Sequence, residues 1–436
     1  MTDVFHPLMA HLTIGEVRLD VVGQGYVGLT LATQAAIRGM TVTGIDVDGA
    51  RLRSLHEGIN VVPGVEDAAL AMALDTGRLQ FSTGFDSVAR AHVVVICVPT
   101  PITDHRPDLR AVEIAGREVG DELSRGSLVV LESTTYPGTT EQVLQPLLER
   151  GGLRAGRDFL LAFSPERIDP GNTKYGLRNT PRVVGGLGSQ STDAAAAFYR
   201  LLVDDVSTVS NCRAAELAKL LENTFRMVNI ALVNELAMQC HDQGIDVWEV
   251  IQAASTKPFG FMPFLPGPGV GGHCIPLDPT YLAWQAHRDT GRRFRLVELA
   301  QDINADMPDY VTRRIVDALG TRGVPLRDAR VLALGVTYKP NVGDLRESAA
   351  VRTLAQLARR GVDVRFHDPY VAKVESAGLR LRRTRLSNRA IREADAVIVL
   401  TPHDSYDFDR VLAQARLVFD ARNALGIRND SRVVTL

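Results

Sequence analysis

The densest chemical signal in the chain is the run PFLPGPGVGGHCIPLD at residues 263–278. Proline and glycine recur there too closely for a helix or a strand, so the run reads as a shaped loop. Its glycines, with Leu265, Gly267, Gly269 and Gly271 along the stretch, let backbone come close to a ligand, and the loop ends on Cys274 beside His273. A thiol held there as thiolate is a nucleophile toward a carbonyl carbon; the plainer alternative is a structural cysteine. His273 either positions the thiol or only hydrogen-bonds the loop. Adjacent His and Cys rarely chelate one ion, and no further ligand stands at zinc spacing, so no metal is expected.

Two further positions carry chemistry. In AELAKLLENTFR, Lys219 and Asn223 stand i,i+4 and share a helix face. Lys219 follows an apolar run, which suits a partly desolvated amine for proton transfer or oxyanion stabilisation, and Asn223 can donate to a developing oxyanion. The alternative is a solvated helix face. In FSPERIDPGN, Glu166 comes just after the strand-like FLLAF, where it either holds a water as general base or caps the turn.

The elements that must position these groups are legible in outline. Arg18 to Val22 is an apolar strand, Gly23-Gln24-Gly25-Tyr26-Val27-Gly28 follows at once, an apolar helix stops at Gly39, and a second strand ends at Asp46. That order is the dinucleotide fingerprint. Gly23 and Gly25 let the turn close and the pyrophosphate approach, Gly28 permits close helix–strand packing, and an acid about 20 residues on accepts the ribose hydroxyls and repels a 2′-phosphate, favouring NAD. HVVVICVPTP and SLVVLESTTYPG are further buried strands, with Cys97 placed inside the first and a hydroxyl cluster, Ser133-Thr134-Thr135, closing the second.

The plan returns near the carboxyl end. ARVLALG, VDVRFHDP, ADAVIVLTPH and LVFDARN are strands, and the loop VTYKPNVGDLRES lacks the glycine fingerprint but offers Lys339 and Arg346; Arg422 follows the last strand. These cations suit phosphate groups. Between the two copies, Arg213 to Gln243 keeps helical apolar spacing without Gly or Pro. The expected fold is α/β, two Rossmann-like parallel-sheet domains joined by a long central helix and a helical dimerisation segment, divided at 1–205, 206–320 and 321–436.

Composition excludes several classes. The 436 residues carry 49 Lys+Arg against 51 Asp+Glu, a formal net charge of −2, with 45% hydrophobic residues. That balance is ordinary for a folded protein and offers no basic excess for a nucleic-acid partner. No stretch approaches the ~20 apolar residues of a membrane span, no secretory signal opens the chain, and four scattered cysteines form no disulfide framework. A reduced, cytoplasmic protein is expected.

Seven motifs in order, GQGYVG, CVPTP, ESTTYPGTTE, FSPERIDPGN, AELAKLLENTFR, KPFGFMPFLPGPGVGGHCIPLDP and GVTYKPNVGDLRES, resemble those of the nucleotide-sugar 6-dehydrogenases, the group of UDP-glucose, UDP-N-acetylglucosamine and UDP-N-acetylmannosamine dehydrogenases. The resemblance implies a homodimer that oxidises the C6 alcohol of a UDP-sugar to a carboxylate with two NAD, for cell-surface polysaccharide. It implies Cys274 as thiol nucleophile, Lys219 at the oxyanion or hydroxyl proton, Asn223 and Asp278 organising lysine and water, Glu166 as thioester-hydrolysis base and Thr134 near that water. It extends the cofactor set to Tyr26, Val27, Arg51, Pro99, Thr100, Thr134 and Arg346, and the substrate set to Glu166, Arg167, Lys219, Asn223, Lys339, Arg422 and the Leu265–Gly271 loop. His273 stands where UDP-glucose enzymes carry Ser, and Pro170 where they carry Glu, departures that count against UDP-glucose; the KPFGFMPFLPGPGVGGHCIPLDP run most resembles the UDP-N-acetylglucosamine branch, with UDP-N-acetylmannosamine next and UDP-glucose the remaining alternative. A two-electron NAD dehydrogenase and a non-catalytic nucleotide-binding module are the competing classes.

Overall fold

The computed structural model describes residues 4–103, 106–169, 172, 174–426 and 430–436. Pro170 and Gly171 of the FSPERIDPGN run lie outside the described residues. The chain forms two compact units, Met1–Glu222 and Asn223–Leu436.

In the first unit, β1 (Arg18–Val22), β2 (Thr41–Ile45), β3 (Leu79–Ser82), β4 (Val93–Ile96), β5 (Leu128–Leu131), β6 (Leu160–Phe163), β7 (Arg182–Gly186) and β8 (Val206–Thr208) make one sheet. Its order is β8-β7-β6-β5-β4-β1-β2-β3. Only the β6–β7 pair is antiparallel; the core from β3 to β6 has the order of a dinucleotide fold, whose ligand crevice opens where connections diverge between β1 and β4. VVVI, LVVL and LLAF are buried at every position, as strands of a sheet covered on both faces must be. The helix Tyr26–Ile37 ends before Gly39, whose φ of +94° only glycine adopts without strain. Cys97 corrects an expectation. It stands one residue past β4 rather than inside it, half-buried, its thiol 3.5 Å from Glu132 Oε2. The helix His6–Ile14, which no sequence period announced, sends Leu8 and Leu12 into the same core.

In the second unit, β9 (Arg330–Leu334), β10 (Asp363–His367), β11 (Ala396–Val399), β12 (Val418–Asp420) and β13 (Val433–Thr435) form a parallel sheet in the order β10-β9-β11-β12-β13. This is the other common doubly wound order, with its switch point between β9 and β11. The loops after those two strands, which carry Lys339 and His403, therefore flank its crevice.

The central stretch is helical as expected: Cys212–Asp242, Val247–Ser255, Asp278–Thr290 and Arg295–Thr321. The first has 31 residues, about 45 Å of rise, and the division between the units falls within it. Among the described residues, no helix is long and apolar enough to cross a membrane, and no group of three or more His, Cys, Asp or Glu is placed to hold a metal.

Candidate active site

The first unit presents a glycine cradle. A Cβ on Gly23 would sit 2.7 Å from the Cys97 carbonyl oxygen, and one on Gly28 would overlap the Gly23 carbonyl. A Cβ on Gly25, at the N-cap of the Tyr26–Ile37 helix, meets nothing within 4 Å. Two glycines thus serve packing, and the third keeps open the space in front of the helix N-terminus, where a pyrophosphate is favoured. The Asp46 carboxylate is fixed at the end of β2. Oδ2 accepts the Gln24 N–H at 2.7 Å and pairs with Arg51 Nη1 at 3.0 Å, and Oδ1 accepts the Asp48 N–H at 2.9 Å. These residues fit a dinucleotide lacking a 2′-phosphate. Tyr26 and Val27 are half-buried on the first helical turn, and Pro99 is exposed. Thr100 is buried, its hydroxyl donating to the Thr134 carbonyl at 2.7 Å.

Behind these strand ends lies a buried ionic cluster that the sequence did not announce. The Arg182 guanidinium at the start of β7 donates to Glu132 and, at 2.7 Å, to Glu166 Oε2; its Nε donates to Ser164 Oγ at 3.0 Å. Tyr199 donates its hydroxyl to Glu132 at 2.5 Å, and its ring lies 4.6 Å from the Arg182 guanidinium carbon. The other Glu166 oxygen accepts the Arg167 and Ile168 N–H groups at 2.5 and 2.6 Å. Burial opposes ionisation of Glu166, yet Arg182 and the two amides outweigh it and hold this carboxyl below the usual glutamate range. Burial lifts Glu132 instead. The two amides on Oε1 give Glu166 the contacts of a turn cap, while Oε2 accepts a single bond among the described residues, from Arg182. Arg167, expected on the substrate, donates to the Pro181 carbonyl and pairs with Glu222 at 2.8 Å. Thr135, beside Thr134, is fully buried with a hydroxyl that meets no partner among the described residues. The hydroxyl cluster was the signal for it, but alternation alone did not say which hydroxyl turns inward. Lys219 is half-buried on the Cys212–Asp242 helix and belongs to this first unit.

The second unit holds the cysteine loop. Cys274 is exposed, four residues before the helix Asp278–Thr290, whose Asp278 N–H donates to the Cys274 carbonyl at 2.8 Å. Buried Asn223 donates to buried Asp278 Oδ2 at 2.5 Å, so these two predicted partners meet. Arg346 lies close enough to Cys274 and His273 for their charges to interact, and pairs with Asp344 at 2.6 Å. A cation beside a thiol favours thiolate. Burial, then Arg346, push His273 below the ordinary histidine value, leaving a neutral ring near neutral pH.

The loop itself is shaped by close packing. A Cβ on Gly271 or Gly272 would strike Tyr338 or the Glu347 carbonyl, and one on Gly267 would strike the Arg422 guanidinium. Gly269 takes φ +129°. Leu265 is exposed. Asn234, buried on the long helix, accepts the Gly267 N–H at 2.9 Å and donates to Asn304 at 2.9 Å; sequence reasoning passed over both asparagines. Arg422 is half-buried after β12, donates to the Leu400 carbonyl at 3.3 Å, and has no carboxylate within ion-pair distance among the described residues. Burial pulls its pKa down to about 10. Next to it, Asn423 at φ +53° buries a side-chain oxygen that meets no donor among the described residues. The cation suits an anion, and the oxygen suits an N–H or O–H donor on the same ligand. Lys339 is half-buried on the loop after β9. That loop is pinned by buried His403, which accepts the Asn341 N–H on Nδ1 at 2.9 Å and meets Asp368 through Nε2 at 2.9 Å.

A dinucleotide cradle in one α/β unit, with an exposed cysteine on a glycine loop and a cationic crevice in the other, points to an NAD-dependent oxidoreductase. Three family models agree in order: the NAD binding domain of the UDP-glucose/GDP-mannose dehydrogenase family at residues 17–203, its central domain at 213–306 and its UDP binding domain at 332–427. The chain belongs to this family of nucleotide-sugar dehydrogenases. It is 36% identical over 95% of its length to the UDP-N-acetyl-D-glucosamine 6-dehydrogenase of Pseudomonas aeruginosa, 94% of which is covered. It is 33% identical over 94% of its length to the UDP-N-acetyl-D-mannosamine dehydrogenase of Pyrococcus horikoshii, 96% of which is covered. A solved structure of UDP-D-ManNAc dehydrogenase from Pyrococcus horikoshii superposes with a TM-score of 0.86 at 33% identity, covering 96% of this chain and 98% of that one.

Proposed function

We propose that this protein oxidises the C6 alcohol of a UDP-N-acetylhexosamine, with UDP-N-acetylglucosamine preferred, to the uronic acid used in cell-surface polysaccharide. The observation that carries this reading is an exposed Cys274 on a glycine loop whose Gly267 rests on the half-buried Arg422. Arg422, Asn423 and Lys339 lie in the segment matching a UDP binding domain; we assign the two cations to the nucleotide diphosphate and the Asn423 oxygen to an N–H or O–H donor of the nucleoside.

Gly23, Gly25, Gly28 and Asp46 would hold NAD, and two NAD bound in turn would each supply one hydride acceptor. Lys219 takes the C6 hydroxyl proton or stabilises the oxyanion as hydride leaves, giving an aldehyde. The Cys274 thiolate adds to the aldehyde carbon, and the resulting thiohemiacetal keeps the half-oxidised sugar tethered. Loss of its hydroxyl proton and a second hydride leaves a thioester. Water breaks the carbon–sulfur bond, releasing the carboxylate and restoring the thiol. Asn223, with its amide on Asp278, organises Lys219 and the water. Glu166 is the base assigned to that water, and Thr134 is the hydroxyl assigned beside it. A nucleophilic thiol fits a reducing cytoplasm.

UDP-N-acetylmannosamine is the second reading, favoured by the Pyrococcus relative. We assign homodimerisation to the exposed stripe Leu217, Leu221, Phe225 and Leu232 on the long helix, whose spacing of four, four and seven keeps one face. The test is to count NADH formed per sugar with UDP-glucose, UDP-GlcNAc, UDP-GalNAc and UDP-ManNAc. Two NADH from UDP-GlcNAc are expected. One NADH with free aldehyde released overturns the thioester route, and no NADH from any sugar reduces the protein to a nucleotide-binding module.

A further inference from the structure

We propose that Glu216 is a positioning residue, which, within the reaction proposed above, sets the register between the helical turn carrying Lys219 and the Thr134–Thr135 hydroxyls. Glu216 is fully buried. Its Oε2 accepts the Gly138 N–H at 2.5 Å, and its Oε1 accepts both the Thr140 N–H at 2.9 Å and the Thr140 hydroxyl at 2.7 Å. Gly138 lies in the turn that follows β5, Thr140 opens the helical segment Thr140–Leu144 directly after it, and the acceptor belongs to the Cys212–Asp242 helix. One carboxylate thus joins the segment that follows Thr134 and Thr135 to the helix that carries Lys219.

The grip reaches those groups through short, stiff connections. Only Tyr136 and Pro137 separate Thr135 from Gly138, proline fixes its own φ, and the Thr139 hydroxyl closes the turn on the Tyr136 carbonyl at 2.7 Å. On the helix, Lys219 follows Glu216 by three residues and so shares its face. A second tie, Arg213 to Glu141 at 2.8 Å, runs beside the first near the surface.

Holding this link with an acid has a consequence. Burial raises the Glu216 pKa to about 7, against the pull of the Thr140 and Gly138 hydrogen bonds. The titratable and charged groups facing it are Glu141 on the turn, itself paired with Arg213, and Cys212 on the helix. When the carboxyl takes a proton it turns an O–H toward a cluster of donors, and the grip loosens.

The experiment compares wild type, Glu216→Gln, Glu216→Asp and Thr140→Val with NAD and UDP-N-acetylglucosamine. For Glu216→Gln we expect kcat to fall on the order of tenfold to a hundredfold, as misplaced groups do, with both KM values within about twofold of wild type. The wild-type decline in kcat below pH 7 should vanish from the Gln profile. Glu216→Asp should restore part of kcat, and Thr140→Val, which spares the acid, should lower kcat less. An unchanged kcat and pH profile in Glu216→Gln overturns the proposal; so does a loss of kcat, both affinities and melting temperature together, which marks a plain structural brace. If wild type reduces no NAD with any UDP-sugar, the functional reading fails separately. Amide exchange at Gly138 and Thr140, taken relative to the intrinsic rate at each pH, then decides the grip alone: protection that falls below pH 7 supports it, and pH-independent protection overturns it.

Discussion

Glu166 Oε2 stands 2.7 Å from Arg182 Nη1 in a cluster where both side chains are almost wholly buried. Replacing Glu166 by Gln should cost about 1.5–3 kcal/mol at neutral pH, the worth of hydrogen bonds to a charged group, because Glu132 remains to pair the guanidinium. The sign follows from the depressed Glu166 pKa. Its stabilisation is present above the ordinary glutamate value, about 4.3, and is lost as pH falls through the depressed folded value. Urea unfolding of the two proteins should therefore differ at pH 7 and converge in acid. A constant gap across that range argues against the ion pair as the cause.

The glycine cradle makes two opposite predictions from one substitution. Gly28→Ala drives a Cβ into the Gly23 carbonyl and should destabilise the first unit by about 1–3 kcal/mol or more. Gly25→Ala has open space around its Cβ and should melt like wild type, while NAD binds about tenfold more weakly, a loss of about 1.4 kcal/mol. Calorimetric melts and NAD titration separate the two; equal stability losses would remove Gly25 from the cofactor site.

Asp46→Ala should raise the NAD KM about tenfold and leave the UDP-sugar KM nearly unchanged. Because Arg51 pairs with that carboxylate at 3.0 Å, its removal also frees a guanidinium for a 2′-phosphate, so NADP should gain relative to NAD. Equal weakening toward NAD and UDP-sugar would instead report a folding defect.

Cys274→Ser should lower kcat by a factor on the order of 10³ or more, as loss of a covalent nucleophile does, and an ester adduct should be sought by intact mass. Full turnover in this variant would return the cysteine to a structural role and favour the two-electron dehydrogenase.

The sequence exposed the parts whose chemistry is local. The glycine turn, Asp46 and the Cys274 loop are each contiguous, and their residue types alone restrict what the backbone and side chains can do. The Arg182 cluster was hidden because its partners stand 16 and 50 residues away, and a lone arginine opening TPRVVGG looks like any strand start. The strand order of the second sheet was equally out of reach, since repeated strand–helix patterns fit either doubly wound arrangement. Cys97 was misplaced by a single residue, enough to move its thiol from the sheet interior to the strand end facing Glu132.

Arg422, which only Asp420 attracts from beyond ion-pair distance and which has no carboxylate at that distance among the described residues, stays short of electrostatic compensation until an anion arrives. Occupancy and folding are then linked: a ligand at a hundredfold its Kd adds about 2.7 kcal/mol to whatever the empty protein has. A cell short of nucleotide sugar would hold this half of the molecule in its more fragile, protease-sensitive form, and abundance of the enzyme would follow supply of its substrate with no dedicated regulator.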